Sequence, residues 1–209
     1  MTRVQRPFAF TTVIYQSGDW ESAPNLPANL IDSVARYTRV PVAPRGETVS
    51  LAAAEVFDHP FLWMTGHLPV RLTDSERRNL KQYVERGGTI VIDDHNHDVD
   101  GIFHKTSHEE IARAFGPRAL VELPSSHDLY SCFFKFTDGP PTTSQELNGW
   151  GDNLVHRYLH AVLVGGRIGL LYSSKDYSSE WDFHPDTKQF LAEDPTRFGV
   201  NMIVYALTR

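Results

Sequence analysis

The stretch FLWMTGHLPVRLTDSERRNLKQYVERGGTIVIDD, from Phe61 to Asp94, decides the fold class. It begins with an unbroken apolar run of strand length, FLWMTGH. The segment TDSERRNLKQYVERGG then has the pattern of a helix, with Thr73 and Glu76 as a capping box and Gly87 at its end. A second apolar run, TIVID, follows at once. This order predicts two adjacent parallel strands joined by a right-handed helical crossover.

Apolar strands alternate with helices along the rest of the chain. Further strands are predicted at FAFTTVIYQ, ALVELP and RIGLLYSS, and further helices at LPANLIDSVARYT, HEEIARAFG and DPTRFGVNMIVYAL. SLAAAEVF is predicted to form a weak helical turn. Strands that are apolar throughout predict a mostly parallel sheet covered on both faces. We therefore expect a single doubly wound α/β domain over residues 1–209, with a long surface loop at 137–153.

Composition excludes several classes of protein. The net charge of the 209-residue chain is −6, and its Lys and Arg residues are scattered, which argues against a nucleic-acid or anionic-membrane surface. The single cysteine, Cys132, excludes an internal disulfide. The start of the chain has no signal-peptide pattern, and the longest apolar stretch is too short to span a bilayer. We expect a soluble, cytoplasmic protein with no nucleic-acid or membrane partner.

Polar residues follow four of the predicted strands, in the segments SGDW, TGH, DDHNHD and SSKD. Ligands of doubly wound sheets bind outside the carboxyl ends of the strands, so these four loops predict a crevice. Asp19 is the candidate general base in this crevice. Trp20, Asp176 and Trp181 are the candidate binding residues.

Histidines and aspartates are concentrated directly after TIVI. Between Asp93 and His108 the sequence places four aspartates and four of the ten histidines of the chain. Imidazole and carboxylate together suit zinc, iron or manganese. In an extended segment, side chains two residues apart project to the same side. We therefore predict a divalent transition metal, with four candidate ligands: His67, Asp94, His95 and His97.

Two other interpretations of the same stretch stay open. NHDVDGIFHKTS resembles a calcium-binding EF-hand loop, with Asn96, Asp98 and Asp100 at the first three ligand positions, but Ser107 stands where that loop needs glutamate. Alternatively the stretch is structural, with its aspartates capping loop amides and its histidines solvated or stacked. For the transition-metal interpretation, His104 and His108 would share a helical face if the following helix begins early.

Several separated motifs resemble one bacterial family, the domain of unknown function 4159. The motifs are GDW, FLWMTGH, LTDSERRNLKQYVERGGTIVIDD, LYSSKD with a later Trp181, and FGVNMIVYAL, which together cover about Phe8 to Thr208. The resemblance implies a fold similar to class I glutamine amidotransferase-like domains, a flavodoxin-like sheet with helices on both sides. Many members are attached to membrane segments or occur beside AAA ATPase and von Willebrand A-type proteins, which implies an assembly or maturation role. This chain lacks the membrane segments, and it has HNHDVDG where members usually have a Cys- or Gly-rich turn.

Amidotransferase chemistry does not follow from this resemblance. It needs a cysteine thiolate at a strained strand-to-helix turn, whereas Cys132 lies among apolar neighbours in LYSCFFKF. No G-x-S-x-G turn, Walker A loop or G-x-G-x-x-G turn is present. The leading hypothesis is a soluble metal-binding domain, acting as an enzyme on a small molecule by metal-assisted hydrolysis or non-haem iron oxidation. The alternative is a non-catalytic binding or assembly module whose crevice holds a peptide or protein partner.

Overall fold

The computed structural model describes residues 6–182 and 193–209. Its centre is a seven-stranded sheet in the order β2-β1-β3-β4-β7-β6-β5. The strands are β1 (Thr11–Ile14), β2 (Glu47–Ser50), β3 (Phe61–Gly66), β4 (Thr89–Asp94), β5 (Leu120–Glu122), β6 (His160–Val164) and β7 (Arg167–Ser173). The helices are α1 (Leu26–Tyr37), α2 (Asp74–Glu85), α3 (Ile102–Phe115), α4 (Ser144–Leu147), α5 (Tyr177–Asp182) and α6 (Glu193–Thr208), with 3-10 turns at Ala54–Asp58 and Asp128–Tyr130.

The predicted strand-helix-strand unit is confirmed. β3 and β4 are adjacent and parallel, with Phe61 opposite Thr89 at one end of the register. The capping box that begins α2 is also present, since the Thr73 side chain accepts a hydrogen bond from Glu76 N and Thr73 N donates to the Glu76 carboxylate. Local sequence alone was sufficient here, because both caps and the apolar runs lie within one contiguous segment.

Helices cover both faces of the sheet, as a doubly wound α/β domain requires. Phe61 and Trp63 of β3 point to one face and pack with residues of α1, α5 and α6. Leu62 and Met64 point to the other face and pack with residues of α2 and α3. Because successive side chains of a strand alternate between faces, one apolar run supplies both cores.

Five strands, from β2 to β7 in the sheet order, are parallel, whereas β6 runs antiparallel to both β7 and β5. The sequence did not predict β2 or the β6–β7 hairpin. Gly165 and Gly166, with φ of 58° and 84°, form the connection between β6 and β7. Two consecutive residues at positive φ suit the tight turn of a hairpin, and glycine adopts this conformation at low cost.

Two further predictions are refined. α3 begins at Ile102, several residues before the predicted HEEIARAFG, because Gly101 supplies the extended residue that precedes the helix. The segment 137–153 contains α4, which has its own capping box between Thr143 and Glu146. Within the described residues, no helix is both long and apolar enough to cross a membrane.

Candidate metal centre and the strand-end cluster

The loops that follow β1, β3, β4 and β7 meet at the carboxyl edge of the sheet. His67 Nδ1 lies 2.7 Å from Asp19 Oδ2. The His67 and His95 rings stack with their centroids 4.3 Å apart. His95 Nε2 lies 3.7 Å from Asp176 Oδ1. Four predicted site residues, Asp19, His67, His95 and Asp176, therefore form one strand-end cluster.

Asp19 orients His67 within this cluster. Its Oδ1 accepts hydrogen bonds from His67 N at 2.8 Å and from Leu68 N at 3.1 Å. Burial raises the pKa of Asp19, but the hydrogen bonds from His67 and Leu68 outweigh burial, and the net pKa lies below its ordinary value. The carboxylate is thus ionised at neutral pH and holds the Nδ1 side of the His67 ring.

His95 is more enclosed than His67. Its Nδ1 lies 3.0 Å from Ser22 Oγ, and burial together with the nearby His67 lowers its pKa to about 4. Asp176 has a φ of 54°, and its Oδ1 accepts a hydrogen bond from Ser179 N at the start of α5. Burial, reinforced by the neighbouring Asp93, raises the pKa of Asp176 well above its ordinary value.

The adjacent carboxylates of Asp93 and Asp94 are both buried, and they accept hydrogen bonds from different segments. Asp93 Oδ2 accepts a hydrogen bond from Ser178 N in α5, and burial raises the pKa of Asp93 to about 6. Asp94 Oδ1 accepts one from Asn96 N in the following turn, and burial raises the pKa of Asp94 to about 7. Asp94 Oδ2 has no hydrogen-bond partner among the described residues. Asp94, predicted as a ligand, thus caps its own turn.

The structure separates His97 from His67 and His95. His97 N donates to Asp94 O at 3.3 Å, and His97 itself has a φ of 49°. The prediction that His95 and His97 project to the same side assumed an extended segment. The chain forms a turn here instead, so the two side chains point to different places. The His97 ring is fully buried, with Nδ1 2.5 Å from Ser174 O. Its Nε2 faces a second group of residues.

That group consists of His97, Asp152 and His156. One ligand atom from each residue lies within 4.8 Å of the others, which makes the three a candidate metal site. His156 Nε2 is 2.9 Å from Asp152 Oδ2, and His97 Nε2 is 3.7 Å from Asp152 Oδ1. Ligands of a tetrahedral zinc ion lie about 3.4 Å apart. The two distances fall on either side of that value, so small side-chain movements would suffice to hold an ion.

Backbone contacts bring Asp152 to His97. Asp152 N donates to His97 O at 2.9 Å, and Asp152 Oδ2 accepts from Val99 N at 3.1 Å. Gly151, with a φ of 62°, passes so close that an added Cβ would lie 1.9 Å from His97 O. The loop can therefore carry only glycine at this position without moving.

A buried ion pair fixes the other ligand, His156. Lys175 Nζ lies 2.6 Å and 2.7 Å from the two carboxylate oxygens of Glu146, and both side chains are fully buried. Lys175 Nζ also donates to His156 O at 2.7 Å, and Glu146 Oε1 accepts from His156 N at 2.8 Å. Burial lowers the pKa of Lys175, while the Glu146 charge opposes this shift. The pair ties the loop after β7 to α4 and to the backbone of His156.

Sequence reasoning missed Asp152, His156 and Ser22. Asp152 lies within the segment predicted as a surface loop, and His156 lies just after it. A signal was present in GWGDN, because two glycines beside an aspartate indicate a backbone that must approach something closely. The four-residue spacing from Asp152 to His156 was a second signal. Neither signal identifies His97 as the residue that Asp152 and His156 approach, because His97 is more than 50 residues away in the chain.

The remaining predicted residues lie elsewhere. Trp181 is buried in the core against Trp63, with ring centroids 5.1 Å apart, and its Nε1 donates to Pro195 O. Trp20 is half-buried and packs against the core on the α2 side of the sheet. His104 and His108 do share a face of α3, and their rings stack at 4.1 Å. Burial raises the pKa of Cys132 to about 11, which disfavours a reactive thiolate.

The EF-hand interpretation fits the local geometry poorly. Asp98 Oδ1 accepts a hydrogen bond from Asp100 N, and Gly101 N donates to Asp98 O, so this segment is a self-contained turn before α3. Asp98 and Asp100 are not part of the candidate metal group. This turn therefore positions the start of α3.

Comparisons with known proteins agree with the motifs. A search of curated proteins finds no match. The family model described as Domain of unknown function (DUF4159) matches residues 9–207, almost the whole chain. The chain belongs to the DUF4159 family.

Proposed function

We propose that this protein binds a divalent transition metal, zinc, iron or manganese, through His97, Asp152 and His156. The observation that carries the proposal is the close approach of these three ligand atoms, contributed by two loops distant in sequence. Two imidazoles and one carboxylate form the donor set that these metals accept. His97 Nδ1 faces Ser174 O, so a donated hydrogen bond would leave Nε2 as the ligand atom.

The protonation state of His156 favours metal binding. Burial lowers its pKa, and the nearby Asp152 only partly offsets this effect. A histidine must be neutral to bind a metal, so a lowered pKa reduces competition from protons. Leu154 O, 3.0 Å from His97 Nε2, is placed to act as a further ligand.

The finer hypothesis is that the metal serves an enzyme acting on a small molecule. His156 lines a cavity of about 430 Å³ on its outer side, together with Lys135 and Arg157. A cavity of this size accommodates a small ligand. Its lining carries two cations, Lys135 and Arg157, and two carboxylates, Asp138 and Asp194, so it suits a small polar substrate. Metal-assisted hydrolysis and non-haem iron oxidation are both compatible with this donor set.

Elemental analysis of protein purified without a histidine tag tests the proposal. We expect close to one equivalent of zinc, iron or manganese after reloading, and a metal-dependent rise in melting temperature. His156→Ala and Asp152→Asn should each abolish that rise, while the matched variant His67→Ala should retain it. Because one site binds one ion, less than about a tenth of an equivalent after reloading contradicts the proposal. Loss of the response in His67→Ala alone would move the site to the strand-end cluster.

A second candidate function, a non-catalytic assembly module, is favoured by a different observation. Large apolar side chains are exposed along residues 147–158, with Leu147 70% and Trp150 68% exposed. Leu154, Val155 and Tyr158 extend this surface. Clustered exposed apolar groups mark interaction sites in many proteins. Sedimentation analysis tests it with a second copy as the partner: association should strengthen with concentration and be lost in Leu147→Ser/Trp150→Ser, whereas a monomer at every concentration argues against it.

The fold also supports a glutamine amidotransferase-like or flavodoxin-like relationship as a proposal. The five parallel strands stand in the order β2-β1-β3-β4-β7. When they are counted in chain order, this is the 2-1-3-4-5 order of flavodoxin-like sheets. Superposition of these five strands on a class I amidotransferase domain tests the relationship.

A further inference from the structure

Three histidines that do not belong to the candidate metal site meet between α3 and the sheet. His104 and His108 stand one helical turn apart on α3, and their rings stack with centroids 4.1 Å apart. The ring of His160, the first residue of β6, lies 6.1 Å from the ring of His108. These three residues form the helix–sheet histidine cluster, and only the fold brings His160 to the two helical histidines.

The ring of Tyr172 forms the floor of this cluster. The rings of His104 and His108 meet it nearly at right angles, with centroid distances of 5.3 Å and 4.6 Å. Tyr172 of β7 lies opposite His160 in the antiparallel register, and Glu122 of β5 lies opposite His160 on its other side. Residues directly opposite each other in antiparallel strands place their side chains on the same face. The sheet therefore presents an imidazole and a carboxylate beside the two histidines of α3.

Two ring nitrogens in the cluster are suited to a ligand. His104 Nδ1 lies 3.1 Å from the Tyr172 hydroxyl and 3.3 Å from Ser174 Oγ. A hydrogen bond donated by Nδ1 leaves Nε2 as the ligand atom, as in many metal sites. His108 Nε2 is buried and has no hydrogen-bond partner among the described residues. A buried polar atom of this kind is costly, and a bound cation would satisfy it.

The protonation state of the cluster also suits a metal ion. Burial lowers the pKa of His104 and the pKa of His108 to about 4, and it lowers the pKa of His160 below its ordinary value. All three imidazoles are thus neutral at neutral pH, the state in which histidine binds a metal. Nitrogen donors select zinc, nickel and copper over magnesium and calcium, which prefer oxygen.

We propose that the helix–sheet histidine cluster binds a second divalent transition-metal ion, zinc, nickel or copper, through His104, His108 and His160. The ligands must move to close on the ion, because among the described residues only the candidate metal site brings three ligand atoms within 4.8 Å of one another. His104 and His108 are half-buried, so their rings can unstack. This rearrangement weakens binding. The cluster therefore fills only at metal concentrations above those that saturate the first site, and the metal retained after desalting stays close to one equivalent.

Titration calorimetry of the metal-free full chain with Ni²⁺ tests the proposal. Wild type should show two binding steps, the weaker one from the helix–sheet histidine cluster. His108→Gln and His160→Gln, on different elements, should each weaken that step at least about tenfold and leave the tighter step unchanged. The matched control is His127→Gln, another half-buried histidine outside the cluster, which should leave both steps unchanged. Thermal melting of each metal-free variant verifies that it is folded.

A further variant separates this proposal from the first. Asp152→Asn should remove the tighter step and retain the weaker one, so failure of either proposal is recognised independently of the other. The proposal is overturned if wild type shows no step up to about 1 mM Ni²⁺ that responds to His108→Gln and His160→Gln. A step that responds to only one of these two variants also overturns it, because the ion must join α3 to β6.

Discussion

Asp93, at the end of β4, is a buried acid whose ionisation affects the stability of the fold. Asp93 is fully buried, its Oδ2 accepts a hydrogen bond from Ser178 N, and its Oδ1 has no hydrogen-bond partner among the described residues. Burial raises its pKa from 3.8 to about 6, because the charged form loses its hydration. A carboxyl group whose pKa is raised by folding makes the folded protein bind more protons than the unfolded chain.

The raised pKa of Asp93 gives a prediction for how the stability of Asp93→Asn depends on pH. The contribution of Asp93 to stability is full below pH 3.8 and is lost as the pH rises through about 6. Asparagine keeps the acceptor for Ser178 N but cannot ionise. The variant should therefore exceed wild type in free energy of unfolding by about 1–3 kcal/mol at pH 8 and lose this advantage near pH 4. Urea unfolding at both pH values measures it; a variant less stable than wild type at pH 8 contradicts the prediction.

Gly151 gives a second prediction at this scale. Alanine there would have a positive φ and a Cβ 1.9 Å from His97 O. The matched control is Gly165→Ala, where φ is also positive, at 58°, but no atom lies within 4 Å of the added Cβ. The control should cost about 1 kcal/mol through backbone conformation alone. Gly151→Ala should cost at least about twice that and weaken metal binding. Equal effects of the two substitutions, measured by urea unfolding, would show that the contact to His97 is unimportant.

At the scale of elements, α4 and the loop around it act as a support for the candidate metal site. Glu146 of α4 pairs with Lys175, which follows β7, and both contact the backbone of His156. Both side chains are completely buried. Removing one partner of a buried pair leaves the other charge without compensation, which destabilises more than removing both.

Lys175→Met should therefore destabilise the protein by about 3–5 kcal/mol and abolish the metal-dependent rise in melting temperature. Its companion, Lys175→Met/Glu146→Leu, should recover part of the lost stability because no buried charge is left unpaired. Urea unfolding of the single and double variants decides between these outcomes. If Lys175→Met/Glu146→Leu is less stable than Lys175→Met, the free energies of unfolding show that the two side chains are not coupled.

At the scale of the whole molecule, a bound ion would join the loop after β4 to residues 152–156. Nothing in the unfolded chain holds His97 near Asp152 and His156, so binding should favour the folded state. Stabilisation follows mass action and reaches about 2.7 kcal/mol at a metal concentration 100 times the dissociation constant.

The pH dependence of that stabilisation is the corresponding prediction. Histidine ligands bind a metal only when they are neutral, so protons compete with the ion as the pH falls. The lowered pKa of His156 should move the onset of this competition to more acidic pH. Titration calorimetry at pH 7.5 and 5.0 should show weaker binding at the lower pH. Affinity that is the same at both values would exclude histidine ligands and favour carboxylates alone.

Contiguous sequence determined the fold class and, through the fold, the strand-end cluster. The capping box, the terminal glycine and the apolar runs between Phe61 and Asp94 lie within one segment, and each acts over a few residues. Parallel strands then force the loops after β1, β3, β4 and β7 to one edge, which is why Asp19, His67, His95 and Asp176 were predicted near one another and are in contact.

Only the tertiary structure decided which histidines share a site. Whether His97 follows His95 or turns away depends on its positive φ and on the hydrogen bonds that Ser174 O and Asp152 N make with it. The residues that make these contacts are distant in sequence, so no local periodicity encodes them. The buried pair of Lys175 and Glu146 has the same origin, because a charged side chain is stable in the interior only after the chain has brought its partner to it.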